Sequence, residues 1–324
     1  MKLELFERVG RSIATAQPDS RYWFSVTEGV ARFGGRVCRV GIWRSFEALD
    51  DVLRGIRGHA EVLGAVGGGA VSALVETLET DGNITGFVHT DDRLVSWEDA
   101  TLREIEVRGA IEPALAVTFH HALVTVLEDV ASTPRSDITY KPTEDWGLTA
   151  RGELSLAFHA YPDWRHYSHG AAAGLLEHDY GYLAPESIDG RKPTAKTFVY
   201  SVGYGLHRML AGRPPFIGDT GLATLMAIRS DATPDLAERR AGLDPELSRI
   251  TNACLAKDED DRPSLTEVRK TLAALGPEPF LLDHWVERHY FTQREARRRL
   301  EGALDRMDFE ASYRTLEYTT KGSG

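Results

Sequence analysis

The chain has 324 residues, of which 42% are apolar and 27% are charged, with 38 Lys and Arg against 49 Asp and Glu and a net charge of −11. This composition is typical of a folded globular protein and excludes a disordered chain. The acidic balance argues against a general nucleic-acid binder, because such a protein needs a basic electrostatic field.

The cysteine content and the N-terminus bear on the compartment of the protein. Two cysteines, Cys38 and Cys254, are too few for a disulfide framework, which favours a reducing environment. The first ten residues, MKLELFERVG, lack the apolar core of a signal peptide. The longest uncharged apolar run, residues 64–75, is shorter than the roughly 20 residues of a membrane helix. We therefore expect a soluble, cytoplasmic protein that contacts neither nucleic acid nor membrane.

The first 95 residues are predicted to be rich in strands. Gly34-Gly35 indicates a turn between the first two strand segments, and Asp81-Gly82-Asn83 indicates a hairpin between the last two. Between the two pairs, apolar residues three or four apart over residues 45–63 predict one helix. The segments with strand composition are residues 21–27, 36–43, 71–79 and 84–90.

From residue 96 onward the patterns are mainly helical. Glu112-Pro113 opens a helix, because proline is favoured in a first helical turn. Residues 198–210, FVYSVGYGLHRML, are apolar nearly all round and predict a buried helix that ends at Gly212. Ser264 and Glu267 have the spacing of a capping box and predict the start of another helix.

A break in composition at residues 276–279, GPEP, precedes the last segment. Thr292 and Glu295 form another capping box, and the sequence after it predicts an amphipathic helix. The apolar stripe comprises Ala296, Leu300, Ala303, Leu304 and Met307, and the polar face includes Arg294, Arg297, Arg298 and Arg299. The chain is therefore divided into residues 1–95, 96–276 and 277–324.

The second half of the chain contains five short motifs: Ala184-Pro185-Glu186, residues 197–203 (TFVYSVG), 210–216 (LAGRPPF), 254–258 (CLAKD) and 261–264 (DRPS). In this order they resemble the motifs of bacterial Ser/Thr (Hanks-type) protein kinases. The resemblance implies an α+β, bilobal protein-kinase-like fold, with a small strand-rich N-lobe (1–95), a larger helical C-lobe (96–276) and a helical C-terminal extension (277–324).

The resemblance also implies a structural signature inside the C-lobe. Glu186 is expected to pair with Arg262, because a buried carboxylate needs a cationic partner. The signature residues are Ala184, Pro185, Glu186, Gly203 and Arg262.

The resemblance assigns phosphate binding to a lysine on the third N-lobe strand, and this lysine is missing. No lysine occurs between Lys2 and Lys141. Depending on the register, the lysine position is taken by Arg39, Val40 or Trp43. Arg39 is a weak candidate for contact with a phosphate, because a planar guanidinium does not replace the compact ammonium of lysine.

The residues that would perform phosphoryl transfer are also replaced. Anchoring the catalytic loop on Lys141-Pro142 puts Thr139 at the position of the base Asp and Glu144 at that of the metal-binding Asn. A shift of two residues would bring Asp137 to the base position. The Asp-Phe-Gly metal motif becomes Ala157-Phe158-His159 or, one residue on, Phe158-His159-Ala160, and neither version supplies a carboxylate.

These losses favour a catalytically inactive pseudokinase that acts as a regulatory or scaffold module and binds another protein. This interpretation expects no catalytic residue, no metal and no cofactor, while leaving ATP binding open. Two surfaces are candidates for partner docking: the activation-segment face, with Trp164 and Tyr167, and the C-terminal helix, with Arg297, Arg298, Leu300 and Leu304.

Two alternatives remain open at the level of sequence. The chain could be an atypical nucleotide-dependent transferase, or a divergent Ser/Thr kinase, that uses Asp137 with Lys141 and Glu144. It could also be an adaptor subunit of a larger assembly. Fold resemblance supports each of these functions and does not decide between them.

Overall fold

A computed structural model of the chain describes residues 4–7, 13–14, 24–33, 36–45, 74–80, 83–91, 95–132, 146–149, 152–156, 182–191 and 194–289. Seven described strands come first along the chain, and most of the described elements after residue 96 are helices, as the sequence predicts. The predicted helix over residues 45–63 and the predicted amphipathic helix after Thr292 lie outside the described residues.

The N-terminal strands form a six-stranded antiparallel sheet. Its main path has the order β1-β3-β4-β6-β5, and β2 also pairs with β3. Because β6 lies between β4 and β5, the chain crosses over one strand between β4 and β5. The strands are β1 (Glu4–Glu7), β2 (Ile13–Ala14), β3 (Phe24–Phe33), β4 (Arg36–Ser45), β5 (Leu74–Thr80) and β6 (Asn83–Asp91).

The two predicted hairpins of this sheet are present, with changed boundaries. β3 runs to Phe33 rather than ending at Thr27, because all ten of its residues pair with β4, from Phe24 opposite Ser45 to Phe33 opposite Arg36. The second hairpin pairs Thr80 with Asn83, so that Asp81-Gly82 alone connects its strands. The strand ends are thus set by pairing between strands, and the local composition did not predict them correctly.

A second, three-stranded sheet lies at the start of the helical part. Its strands are β7 (Val95–Ser96), β8 (Trp146–Leu148) and β9 (Leu154–Leu156), in that order. β7 follows closely on the last strand of the first sheet, and α1 begins at its end. This small sheet therefore joins the segment after β6 to the β8–β9 hairpin.

Nine helices are described after β7. Pro113 occupies the first turn of α2, and Gly212 ends α4 with a left-handed backbone, φ 69°, as predicted. Ser264 and Glu267 form the predicted capping box of α8. The helices are α1 (Trp97–Arg108), α2 (Pro113–Ala131), α3 (Pro185–Ile188), α4 (Ala195–Ala211), α5 (Gly221–Ser230), α6 (Leu236–Arg239), α7 (Pro245–Cys254), α8 (Leu265–Ala274) and α9 (280–289).

The buried helix α4 is the centre of the helical core. It packs against α2 and α7, and two of its glycines lie at these contacts. A Cβ on Gly203 would lie 2.6 Å from the Cβ of Cys254, and one on Gly205 would lie 2.6 Å from Nε2 of His120. The helices can approach this closely only because both positions lack a side chain. Cys254 is fully buried, which raises the pKa of its thiol to about 12 and makes it unsuited to nucleophilic chemistry.

Helix α2 is long and apolar enough to cross a membrane, and it is the one such helix among the described residues. Eleven of its 19 residues are buried against the rest of the helical part, including Phe119 and Leu127. A core helix of a globular domain meets the same criterion, so this is weak support for a membrane span.

Helix α9 belongs to the same hydrophobic core although it follows the composition break at residues 276–279. Leu282, Trp285 and Val286 are 5%, 0% and 4% exposed and lie in one cluster with the core residues of α2 and α4. Part of the segment 277–324 thus completes the core of the preceding region. The sequence did not indicate this contribution.

Candidate functional site

The most strongly connected polar site in the described residues joins α3 to the loop before α8. Glu186, in α3, and Arg262 are 0% and 2% exposed. Nη1 of Arg262 donates to Oε1 of Glu186 and Nη2 donates to Oε2, both at 2.7 Å. Two parallel charge-assisted hydrogen bonds fix the relative orientation of the two groups as well as their distance.

The remaining donors of Arg262 reach backbone carbonyls. Nε donates to the carbonyl of Ala256 at 2.8 Å, Nη1 to that of Lys196 at 3.0 Å, and Nη2 to that of Lys257 at 3.3 Å. With the two bonds to Glu186, all five guanidinium N–H groups have acceptors. The site therefore requires an arginine, since lysine has a single nitrogen and three donors.

Thr197 adds a third side chain to this pair. Its hydroxyl donates to Oε1 of Glu186 at 2.9 Å and accepts from the backbone N–H of Thr194 at 3.0 Å. The same hydroxyl therefore serves both the N-terminal capping box of α4 and the buried carboxylate. This ties the start of α4 to α3.

Tyr200 lies one turn further along α4, with its ring facing Arg262. The guanidinium carbon is 5.0 Å from the ring centroid, within the range of a cation–π contact. Burial raises the pKa of the phenol far above its ordinary value, so the group stays neutral. Its hydroxyl is buried and has no hydrogen-bond partner within the described part of the chain.

The electrostatics of Glu186 follow from these contacts. Burial by itself raises the pKa of the carboxyl group, but the hydrogen bonds and charge of Arg262, together with the Thr197 hydroxyl, outweigh it and hold the pKa below its ordinary value. Glu186 is therefore ionised at neutral pH, and its acceptor positions are already used. It is not available as a general base or as a metal ligand.

Lys257 extends the site to α5. Its ammonium group donates to the last carbonyls of that helix, those of Ala227 and Ile228, and lies 3.5 Å from the ring centroid of Phe216. Burial lowers the pKa of Lys257 to about 8. A cation at a helix C-terminus is stabilising, and this one links α5 to the Arg262 site through the Lys257 carbonyl.

The structure brings together four of the five signature residues predicted from sequence. Ala184, Pro185 and Glu186 form the start of α3 beside Arg262, whereas Gly203 lies further along α4 and faces α7. The expected ion pair is thus present, and Gly203 has a separate packing role.

The other predicted residues are not part of this site. Arg39 lies in β4, where its backbone is opposite Val30 and Asp91, and its side chain is not described. The catalytic candidates Asp137, Lys141 and Glu144 lie outside the described residues. So do the docking candidates Trp164, Tyr167, Arg297, Arg298, Leu300 and Leu304.

The β8–β9 hairpin lies, in the sequence, between the two segments that were predicted to correspond to the kinase catalytic loop and metal motif. The candidate catalytic loop precedes Trp146, and the altered metal motif follows Leu156, so both flank the hairpin just outside the described residues. Within the described residues, no group of His, Cys, Asp and Glu side chains could hold a metal ion.

The sequence of the helical part is similar to that of known protein kinases. Residues 166–272 match the family model of the protein kinase domain. The chain is 40% identical over 82 residues to the serine/threonine-protein kinase PknB of Mycolicibacterium smegmatis and 39% identical over 92 residues to PkaA of Streptomyces coelicolor. It is 31% identical over 87 residues to STE20 of Saccharomyces cerevisiae. Residues 166–272 are therefore identified as a protein kinase-like domain that is similar to part of the bacterial Ser/Thr kinases.

The similarity covers a limited part of each protein. The matched stretches are 25%, 28% and 27% of this chain and 13%, 16% and 9% of the three relatives. The stretch that matches the protein kinase model, residues 166–272, contains both Glu186 and Arg262. The activity stated in the relatives' names is that of those proteins.

Sequence reasoning missed two contributors to this site of the kinase-like domain. Thr197 has a detectable signal, since Thr194 and Thr197 have the spacing of a capping pair, although the bond to Glu186 depends on the tertiary fold. Tyr200 lies in the motif over residues 197–203, but the contact of its ring with Arg262 was not predicted, because a tyrosine in an apolar helix is typical of any core.

Proposed function

We propose that this kinase-like domain is catalytically inactive and acts as a regulatory module that binds another protein. The observation that carries the proposal is a contrast between two sets of residues. The pair that the fold needs, Glu186 and Arg262, is present with all its hydrogen bonds. The lysine that the reaction needs has no candidate, because the chain contains no lysine between Lys2 and Lys141.

The retained site supports a folding role for the kinase-like motifs. Arg262 uses all five of its donors on Glu186 and on backbone carbonyls, and Thr197 adds a further bond to Glu186, so neither member of the ion pair is free to act on a substrate. Such a network stabilises the helical part without contributing to phosphoryl transfer. Selection for the fold alone would preserve it.

The lost residues argue against phosphoryl transfer, which relies on positioned cations and metal ions. Arg39 is the candidate nearest in kind to the missing lysine, and neither version of the altered Asp-Phe-Gly motif contains a carboxylate for Mg²⁺. Partner binding on the activation-segment face or the C-terminal helix, in the cytoplasm and without a cofactor, is the function we propose in its place.

A phosphotransfer assay tests the absence of activity. The purified full chain is incubated with labelled ATP and either Mg²⁺ or Mn²⁺, with and without a generic acceptor protein, beside an active bacterial Ser/Thr kinase. We expect no incorporation of label above that of a heat-denatured sample. Asp129→Asn is the control, because Asp129 is an exposed residue of α2. Incorporation of label that Asp137→Asn abolishes and Asp129→Asn leaves unchanged would overturn the proposal.

Thermal melts with ATP, each with and without Mg²⁺, test the nucleotide site separately. A ligand at 100 times its Kd stabilises the folded state by about 2.7 kcal/mol, which shifts the midpoint visibly. We expect no shift that requires Mg²⁺. A shift with ATP alone is compatible with a nucleotide-regulated pseudokinase, whereas a Mg²⁺-dependent shift would favour the transferase alternative.

A further inference from the structure

Helix α9 contacts two parts of the chain that are far from it and from each other in the sequence. One is Trp97, the first residue of α1 and the first helical residue after the chain leaves the six-stranded sheet. The other is the turn of the β8–β9 hairpin at Gly152. The candidate catalytic loop and the altered metal motif lie on either side of that hairpin in the sequence.

The contact with α1 is an aromatic stack. Trp97 lies parallel to Phe119 of α2, with ring centroids 3.4 Å apart, and its ring centroid is 4.6 Å from that of Trp285 in α9. Trp97 is 4% exposed and Trp285 is 0% exposed. Burying rings of this size contributes strongly to stability, so removal of α9 would expose one side of Trp97 to water.

A buried carboxylate connects the same two helices. Oε2 of Glu104, in α1, accepts from Nε1 of Trp285 at 2.7 Å and lies 3.1 Å from Nε2 of His289. Oε1 of Glu104 lies 3.4 Å from Arg108 and 4.0 Å from Arg288. Three of these four groups belong to α9, so the partners of a buried charge depend on the docking of this helix.

The electrostatics of Glu104 agree with this arrangement. Burial alone raises the pKa of its carboxyl group, but the hydrogen bonds from His289 and Trp285 and the charges of Arg288 and Arg108 outweigh burial and lower the pKa. The carboxylate is therefore charged while α9 is docked.

The contact with the hairpin is made through the backbone. Gly152 has φ +68°, and a Cβ at this position would lie 2.7 Å from the backbone nitrogen of Asp283 and would clash with the Asp283 side chain. The turn can therefore pack directly on α9. The segment before α9 is also anchored, because the backbone N–H of Glu278 donates to the hydroxyl of Thr118 at 2.9 Å.

We propose that α9 is a regulatory strap: its docking, through Trp285 and Glu104, holds the start of α1 and the β8–β9 turn in place together, and its release loosens both. A signal acting on the C-terminal part of the chain is thereby transmitted to the start of α1 and to the hairpin that lies, in the sequence, between the candidate catalytic loop and the altered metal motif. The coupling is a property of the fold and does not depend on whether the chain transfers phosphate.

Hydrogen exchange on the full chain tests the strap. Glu104→Gln removes the charge and keeps the size of the side chain, and Trp285→Phe removes the N–H donor and keeps an aromatic ring. Phe280→Ala is the control, because Phe280 lies on the same helix and is 52% exposed. Exchange is followed in peptides from α1, the β8–β9 hairpin, α9 and α7, the last as a remote reference.

We expect both strap variants to accelerate exchange at least tenfold in α9, in α1 and in the hairpin, with α7 changed by less than twofold. Phe280→Ala should leave all four regions within twofold of the parent chain. Acceleration confined to α9 would overturn the proposal, because the helix would then be a passive appendage. Equal acceleration in α7 would also overturn it, since the effect would be a general loss of stability.

Discussion

The carboxylate of Glu186 and the guanidinium of Arg262 meet through two hydrogen bonds of 2.7 Å although the residues are 76 positions apart in the chain. Both side chains are completely buried. The pair connects distant parts of the helical region. Glu186 lies in the first turn of α3, and Arg262 lies between α7 and α8. Arg262 also donates to the carbonyl of Lys196 at the start of α4.

Replacing Arg262 by lysine should destabilise the folded state by about 3–5 kcal/mol, because the buried Glu186 loses its bidentate partner and several carbonyls lose their donor. The free energy of unfolding is measured by urea titration. Arg249→Lys is the matched control, since the Arg249–Glu246 pair has two hydrogen bonds and is largely exposed. The control should leave the midpoint nearly unchanged, and equal effects of both variants would contradict the assigned role of burial.

Replacing Thr197 by valine should cost about 1–3 kcal/mol of unfolding free energy. The change removes the hydroxyl that donates to Glu186 and accepts from the backbone of Thr194, while keeping the shape of the side chain. Thr125→Val serves as control, because the hydroxyl of Thr125 donates only to the carbonyl of His121 on an exposed face. If the two variants have the same midpoint in urea, the Thr197 hydroxyl does not support the carboxylate.

Stability should fall between about pH 6.5 and pH 4.5 because two buried histidines resist protonation. Burial lowers the pKa of both His120 and His207 to about 4, against about 6.5 in the unfolded chain. In this window the unfolded state binds more protons than the folded state. The contribution of each neutral, buried histidine to the unfolding free energy is therefore complete above pH 6.5 and is lost as the pH falls toward 4. We expect each histidine to lower the unfolding free energy by about 2 kcal/mol between pH 7 and pH 5.

A mutation separates the contribution of His120 to the pH dependence from the contributions of other groups. His120→Gln should flatten the dependence of the unfolding free energy on pH in this window, whatever it does to stability at pH 7. Glu186 does not interfere, because a carboxylate with a lowered pKa loses its contribution only below the unfolded value of about 4.3. An unchanged slope in His120→Gln would contradict the burial of this ring.

Alanine at position 203 should destabilise the protein although alanine is the better helix former. Helix propensity alone would give a gain of about 0.5–1 kcal/mol. A Cβ at Gly203 would instead lie 2.6 Å from the Cβ of Cys254 and 3.1 Å from Leu255, which forces α4 and α7 apart. Overpacking of this kind costs about 1–3 kcal/mol. A higher melting temperature for Gly203→Ala would show that the helices are further apart.

The sequence determined the elements of this fold wherever the signal is local. Pro113, Gly212 and the Ser264–Glu267 capping box set helix ends that the structure confirms. The two N-terminal hairpins are also present at the predicted turns, although their strands have other ends, because the turns are encoded in the few residues between the strands. The Glu186–Arg262 pair was predictable because the motifs that contain the two residues resemble kinase motifs, and the resemblance implies this pairing.

Tertiary structure decided what no local pattern encodes. The end of β3 at Phe33 follows from its pairing with β4, and the bond from Thr197 to Glu186 needs two helices to meet. The role of α9 is the clearest case. The GPEP break before it suggested a separate extension, yet Trp285 is fully buried and binds Glu104, 181 positions earlier. Burial of a large ring and the pairing of a buried charge depend on which surfaces come together, and that choice is made by the packing of the whole chain.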